Sequence, residues 1–208
     1  MSKKIFKISL LGEKDVGKTS MLATYMNKEF NLQSLSTIGI VENFIKKTFD
    51  KVEYKFKIFD TAGQERYNSI ATSTIQIADG FFMVFAVNHK GSYEKIVTWI
   101  NSIKEYVNLK EKVLFIIGNK CDVNSEERVV GKDEAENFAK GYNAKYLETS
   151  AFTRKGIDDA FENMFKDVYE MYKKNKNDNN RNSNIVLDNN NAGNAKNKDP
   201  KKKKCFFF

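Results

Sequence analysis

Apolar positions along this chain follow two periods that take turns. Phe6–Leu11 is a short apolar run with Phe6, Ile8 and Leu10 on one face, which predicts a strand. A helix-like stretch with Met21, Leu22, Tyr25 and Met26 follows it. In Lys51–Phe59 the alternation is strict: Val52, Tyr54, Phe56 and Ile58 point one way and Lys51, Glu53, Lys55 and Lys57 the other. That pattern predicts a strand with one wetter face, at or near a sheet edge. Phe81–Val87 reads as another strand. Val113–Gly118 (VLFIIG) is continuously apolar, as expected of a central parallel strand covered on both faces. Ala144–Leu147 predicts one more strand.

Between these runs the period changes to that of a helix. Ser92–Val107 carries Ile96, Trp99, Ile100 and Ile103, which places Trp99 in the core, and Lys132–Gly141 is a second amphipathic stretch. Gly156–Tyr172 is a third, with Ile157, Phe161, Met164, Phe165, Val168 and Tyr169 at helical spacing. Strands and helices in alternation predict an α/β domain, with helices on both faces of a mostly parallel sheet.

Composition changes beyond Tyr172. Residues 173–204 hold eleven Asn, nine Lys, one Arg and three Asp, and almost nothing apolar besides Ile185-Val186-Leu187. This segment accounts for +7 of the chain's formal charge of +8 and reads as a flexible linker. The expected division is a folded domain over 1–172 and a tail over 173–208. Because the basic excess sits in the tail, a nucleic-acid-binding domain is not expected. Only two cysteines are present, Cys121 and Cys205, so neither a disulfide framework nor a metal cluster is expected. No secretory signal and no apolar run long enough to span a bilayer is legible. The lone His89, just after a strand, reads as a surface residue.

Candidate chemistry lies at the ends of the predicted strands. Gly12-Glu13-Lys14-Asp15-Val16-Gly17-Lys18-Thr19-Ser20 stands between a strand and a helix, the context a phosphate-binding loop requires. Its glycines let backbone N–H groups approach phosphate oxygens, and the helix start adds unpaired donors and a favourable dipole. Lys18 would reach the β- and γ-phosphates, and the Thr19 hydroxyl would ligate Mg2+. Asp60 closes its strand where ligand groups sit in open α/β sheets and would hold a magnesium water. Gly63 can turn its N–H toward a γ-phosphate. Gln64 is a poor base but is suited to orienting an attacking water. Thr37 offers a second hydroxyl for the metal.

After the buried strand comes Asn119-Lys120-Cys121-Asp122. The Asp122 carboxylate can accept from N1 and N2 of guanine; adenine lacks that pair of donors, so discrimination is expected. Asn119 and Lys120 would brace the loops and pack along the base. Backbone N–H groups near Ser150 and Ala151 could face the guanine carbonyl. The four segments together point to binding of GTP and GDP with Mg2+ and hydrolysis of the terminal phosphate. An ATP-dependent kinase using the same loop is the reading that Asp122 argues against.

With these motifs in this order, the chain resembles a small GTPase of the Ras superfamily over roughly residues 4–172. The resemblance implies the P-loop NTPase fold, with a central, mostly parallel six-stranded sheet flanked by helices. It also implies that Phe30 stacks on the guanine, that Thr37 belongs to the first switch, and that Asp60–Gln64 opens the second. Thr37-Ile38-Gly39-Ile40 and Gln64-Glu65-Arg66-Tyr67 are most like the Rab family. Val84–Asn88, Glu148–Ala151 and Gly156–Phe161 are more like Ras itself. A Rab-like switch regulating vesicle trafficking is implied, with a Ras-like signalling GTPase as the alternative.

Three positions depart from the family pattern. Lys14 and Asp15 stand where small residues are usual, and bulk at Lys14 obstructs an activating protein, so a switch with very slow hydrolysis is a further alternative. Phe152 replaces a lysine whose stem packs over the base. Ser34 stands where an aromatic often covers the nucleotide.

Lys201–Lys204 precedes Cys205-Phe206-Phe207-Phe208, which reads as a prenylation box with a terminal residue favouring geranylgeranyl. A lipid on Cys205 plus the polybasic run would hold the protein on anionic membranes. The expected partners are effectors, an exchange factor, a GTPase-activating protein and a prenyltransferase. The expected state is a monomer at the cytoplasmic face of an intracellular or plasma membrane, with a cytosolic pool.

Overall fold

In the computed structural model, residues 4–27, 39–61 and 68–192 are described. The strands are β1 (Ile5–Leu11), β2 (Ile40–Phe49), β3 (Val52–Thr61), β4 (Gly80–Ala86), β5 (Val113–Asn119) and β6 (Lys145–Glu148). The helices are α1 (Lys18–Tyr25), α2 (Asn68–Ile77), α3 (Lys90–Tyr106), α4 (Lys132–Gly141) and α5 (Ile157–Ala192). The six strands form one sheet in the order β2-β3-β1-β4-β5-β6. Only β2 runs antiparallel to its neighbour, so the mostly parallel six-stranded sheet read from the sequence holds.

The central strands are buried on both faces. In β4, Phe81, Met83 and Phe85 enter the core beneath α3, with Trp99, Ile96, Ile100 and Ile103. Phe82 points to the opposite face, where its ring lies 5.0 Å from that of Phe161 on α5. This strict alternation is why one continuous apolar run serves two cores. The α5 face is largely aromatic: Phe56 meets Phe165 at 4.6 Å and Phe6 at 5.0 Å, and Tyr25 of α1 stacks on Phe161 at 4.5 Å.

Two elements were not read from the sequence. In β2 the polar residues hide the alternation, because it is an edge strand that needs only partial cover. α2 has the sequence NSIATSTIQI, in which Ile75 and Thr74 are buried and Thr74 meets Ser9 of β1 at 3.2 Å. The β2–β3 turn places Asp50 (φ 47°) and Lys51 (φ 63°) in the left-handed region, as a two-residue hairpin of the primed type requires.

The chain divides into two compact units, Met1–Met171 and Tyr172–Phe208. The first holds the sheet and the helices packed on it. In the second, the backbone is helical as far as Ala192. Neither glycine nor proline stands between Ile157 and Ala192, so nothing in the sequence interrupts the helix before Gly193.

Tyr169 fastens the β2–β3 hairpin to α5. Its ring stacks on Phe49 at 4.7 Å, and its hydroxyl donates to Asp50 Oδ2 at 2.9 Å. Tyr169→Phe keeps the stack and should cost about 1 kcal/mol, whereas Tyr169→Ala should cost about 3–5 kcal/mol. Urea unfolding midpoints of the three proteins measure the difference.

Candidate functional site

β1 is the strand at which the chain switches sides, with β3 on one flank and β4 on the other. Ligands of open α/β sheets bind at the carboxyl ends of strands at such a point. The loop Gly12–Gly17 leaves β1 there and leads into α1. Gly12 has φ +143°, and a Cβ on it would lie 2.1 Å from the Val84 carbonyl oxygen. Gly17 has φ +93°, and its Cβ would lie 2.4 Å from Asn119 Nδ2. Both places therefore require glycine.

Lys18, the first residue of α1 after that loop, is 5% exposed. Its ammonium donates to the carbonyls of Gly12 (2.9 Å) and Glu13 (2.7 Å). Burial lowers its pKa to about 8 against the opposing pull of Asp60, Glu13 and Asp15. An ammonium held by two neutral carbonyls at a helix N-terminus creates a strong demand for an anion. Lys14 and Asp15 lie exposed on the rim, their charged groups 3.8 Å apart. Val16 is buried, and Glu13 and Ser20 are half-buried.

Asp60, at the end of β3, comes to the head of α1. It is 2% exposed; burial raises its pKa, opposed by a hydrogen bond from Thr19 and by the charge of Lys18. Its Oδ1 is buried and takes no hydrogen bond among the described residues. A desolvated carboxylate oxygen beside a hydroxyl is a hard-oxygen pair that suits a divalent cation or its water. Thr19 and Asp60 thus fit Mg2+, which would supply charge neutralisation on the phosphates.

Asn119 ties the loops together. Its Nδ2 donates to the Val16 carbonyl of the phosphate loop at 2.7 Å, and its Oδ1 accepts from the Thr149 hydroxyl at 3.1 Å. Lys120 follows with φ +63°, and Asp122 lies exposed in the turn. Ser150 and Ala151 are buried in the loop after β6, and Phe152 is 65% exposed. Burial pushes the pKa of the half-buried Cys121 thiol up. His89 is an exposed residue at the start of α3. Phe30, Ser34, Thr37, Gly63, Gln64 and Cys205 lie outside the described residues.

Known proteins are similar to this chain in sequence. The model of the Ras family matches residues 7–170. Ras-related protein Rab-8B of Homo sapiens is 35% identical over 176 residues, covering 85% of this chain and 84% of its own. Ras-related protein Rab-8 of Diplobatis ommata is 36% identical over 175 residues, covering 84% and 82%. Ras-related protein Rab-8A of Mus musculus is 36% identical over 164 residues, covering 79% and 78%.

The chain belongs to the Ras family. It is a Rab-like small GTPase, an enzyme that binds guanine nucleotides and hydrolyses GTP.

Around the loops that follow β5 and β6 of this GTPase the structure adds Arg128, Tyr146 and Arg154, whose contacts the sequence did not show. Arg128 forks onto Glu148: Nη1 lies 3.3 Å from Oε2, and Nη2 bonds Oε1. Arg128 Nε also donates to the Val130 carbonyl at 2.9 Å, and the Tyr146 hydroxyl donates to Glu148 Oε1 at 2.9 Å. Thr149 and Arg154 also join loops that lie far apart in sequence. Arg128 and Arg154 stand in no motif read from the sequence, and the Arg128–Glu148 and Arg154–Thr24 bonds span 20 and 130 residues.

Burial opposes ionisation of Glu148, but the hydrogen bonds from Arg128 and then Tyr146 outweigh it, so its pKa is lowered. A carboxylate with a depressed folded value contributes stability above its unfolded value and loses it as pH falls through the folded one. The melting temperature of the native protein should therefore exceed that of Glu148→Gln at pH 6. The gap should close toward pH 3 in thermal melts.

Proposed function

We propose that this GTPase is a magnesium-dependent GTP/GDP switch of vesicle trafficking, held on a membrane by lipid at Cys205 and by the basic run before it. The observation that carries the nucleotide site is the pair of buried opposite charges, Lys18 and Asp60, at the head of α1. The first demands an anion, and the second, beside the Thr19 hydroxyl, suits a cation. In this reading Gly12–Ser20 cradles the phosphates and Lys18 lies along the β- and γ-phosphates. Asn119, Lys120 and Asp122 take the base from one side, with Ser150, Ala151 and Phe152 on the other, and Phe30 stacks on it.

Hydrolysis then follows from positioning. Gln64 orients a water whose oxygen bonds to the γ-phosphorus as the bond from phosphorus to the β–γ bridging oxygen breaks, and GDP leaves with that oxygen. The water's proton departs with the phosphate product. Lys18 and the Gly63 N–H stabilise the charge that develops on the transferred oxygens. Thr37 and Gly63 read the γ-phosphate, so effectors recognise the GTP state and release follows hydrolysis.

Residues 201–208 support the membrane reading. Cys205 follows Lys201–Lys204 and stands three residues before Phe208. One prenyl chain is marginal alone and becomes a stable anchor with a polybasic partner. The likeness to Rab-8 proteins supports trafficking, exchange factors, activating proteins and a prenyltransferase as partners.

A second reading, a switch with very slow hydrolysis, rests on Lys14, whose exposed ammonium sits on the rim of the phosphate loop. Single-turnover hydrolysis of bound GTP separates the two. Under the leading reading, Gln64→Leu lowers the rate roughly tenfold to a hundredfold, and Lys14→Gly changes it little. A large acceleration in Lys14→Gly supports the second reading. Fractionation of cells tests the anchor: Cys205→Ser should move the protein from membranes to the soluble fraction with nucleotide affinity unchanged. Continued membrane retention would refute lipid anchoring.

A further inference from the structure

The phosphate-binding helix is fastened at its far end. α1 presents its N-terminus to the phosphate loop, and its C-terminus at Thr24–Asn27 meets the loop between β6 and α5. The buried Thr24 hydroxyl donates to the Ala151 carbonyl at 2.9 Å. Arg154 Nη1 donates to the Thr24 carbonyl at 2.8 Å and to Asn27 Oδ1 at 2.7 Å. Its other edge grips Asp158, with Nε 2.8 Å from Oδ2 and Nη2 2.7 Å from Oδ1.

The backbone is set up for this contact. Arg154 has φ +67°, a left-handed conformation that a non-glycine residue adopts only against resistance. The exposed ion pair with Asp158 contributes little by itself. What it does is orient the guanidinium, leaving Nη1 aimed at the end of α1. The Thr24 carbonyl, which also accepts from the Asn27 N–H at 3.2 Å, lies in the last turn of α1, where a cation suits the helix dipole. Arg154 is thereby a cap supplied from a loop 130 residues away in sequence.

We propose that Arg154 is a positioning residue that governs how long a guanine nucleotide stays bound, by stapling the phosphate-binding helix to the base-contacting loop. The inference rests on the base lying against Ser150–Phe152, as proposed above. A nucleotide bridges the two elements that Arg154 joins, with its phosphates at the head of α1 and its base against the loop. Release requires the elements to part, and Arg154 together with the Thr24 hydroxyl opposes that parting. Asn119 makes the matching tie on the phosphate-loop side, so the two fastenings lie at opposite ends of α1.

The test uses the full-length protein with Mg2+, loaded with fluorescent mant-GDP and chased with excess GDP. Arg154→Ala should release the nucleotide about tenfold faster, with Arg154→Lys in between because an ammonium can cap the carbonyl but lacks the fork. Thr24→Val, which keeps the side-chain shape, should speed release about threefold and provides a second readout should Arg154→Ala fold poorly. Competition with ribose 5′-triphosphate, which has the phosphates but no base, separates positioning from general loosening: its affinity should be unchanged in Arg154→Ala. Release within twofold of the native rate in both variants, or equal weakening of GDP and ribose triphosphate, would overturn the proposal. Asp122→Asn is measured in parallel for guanine affinity. If it binds GDP as tightly as the native protein, the base placement fails and this inference falls with it. A defect in Asp122→Asn beside native release in Arg154→Ala overturns the staple alone.

Discussion

Two opposite charges buried at one place constrain the rest of this molecule. Lys18 and Asp60 are each nearly inaccessible to water, and each is pushed by burial toward its neutral form. Desolvating a single ion is costly, and two ions that do not hydrogen-bond each other relieve only part of that cost. Carbonyls of the phosphate loop take the ammonium, and the Thr19 hydroxyl takes one side of the carboxylate. Such an arrangement persists because two stiff cores hold the strands that deliver it. β1 and β3 run side by side in parallel register, with Leu10 opposite Asp60. Between them the Thr61 hydroxyl donates to the Leu10 carbonyl at 2.7 Å. The apolar layers thus fix where the charges meet.

Much of the fold was legible because the same alternation that identifies a strand also decides its surroundings. β5 reads VLFIIGN, and its place between β4 and β6 follows from burial on both faces. The first turns of α5 were legible from Ile157, Phe161, Met164, Phe165, Val168 and Tyr169, all of them buried. β2 was not, since an edge strand with Phe44 at 55% exposure carries no clean hydrophobic face. α2 escaped because Thr72, Ser73 and Thr74 dilute its period, and only its fit against β1 shows why a buried threonine is satisfied there. The helical continuation of α5 was missed for another reason. Polarity excludes a core but does not exclude a helix, and only glycine or proline would have stopped it.

The candidate site divides along a similar line. Residues whose roles depend on local geometry stand in contiguous motifs, because a tight loop at a strand end fixes several neighbours at once. Gly12, Gly17, Lys18 and Thr19 are of this kind. Residues that brace one loop against another have no such signature. Thr24 reaches Ala151, Arg128 reaches Glu148, and Arg154 reaches back to Thr24 and Asn27. Each is an ordinary polar side chain in sequence, and its meaning comes only from what the fold places opposite it.

Asn119 shows how the two kinds of information join. Its position at the end of β5 was legible, but its hydrogen bonds show why an amide is needed. Only a side chain with both donor and acceptor can give to the Val16 carbonyl and take from the Thr149 hydroxyl at once. An aspartate there would set a carboxylate against a carbonyl, and a leucine would leave buried Thr149 and the Val16 carbonyl without these partners. One amide therefore links the Gly12–Gly17 loop to the loop after β6. Loops spaced beforehand in this way spare a ligand that meets both of them the cost of ordering them.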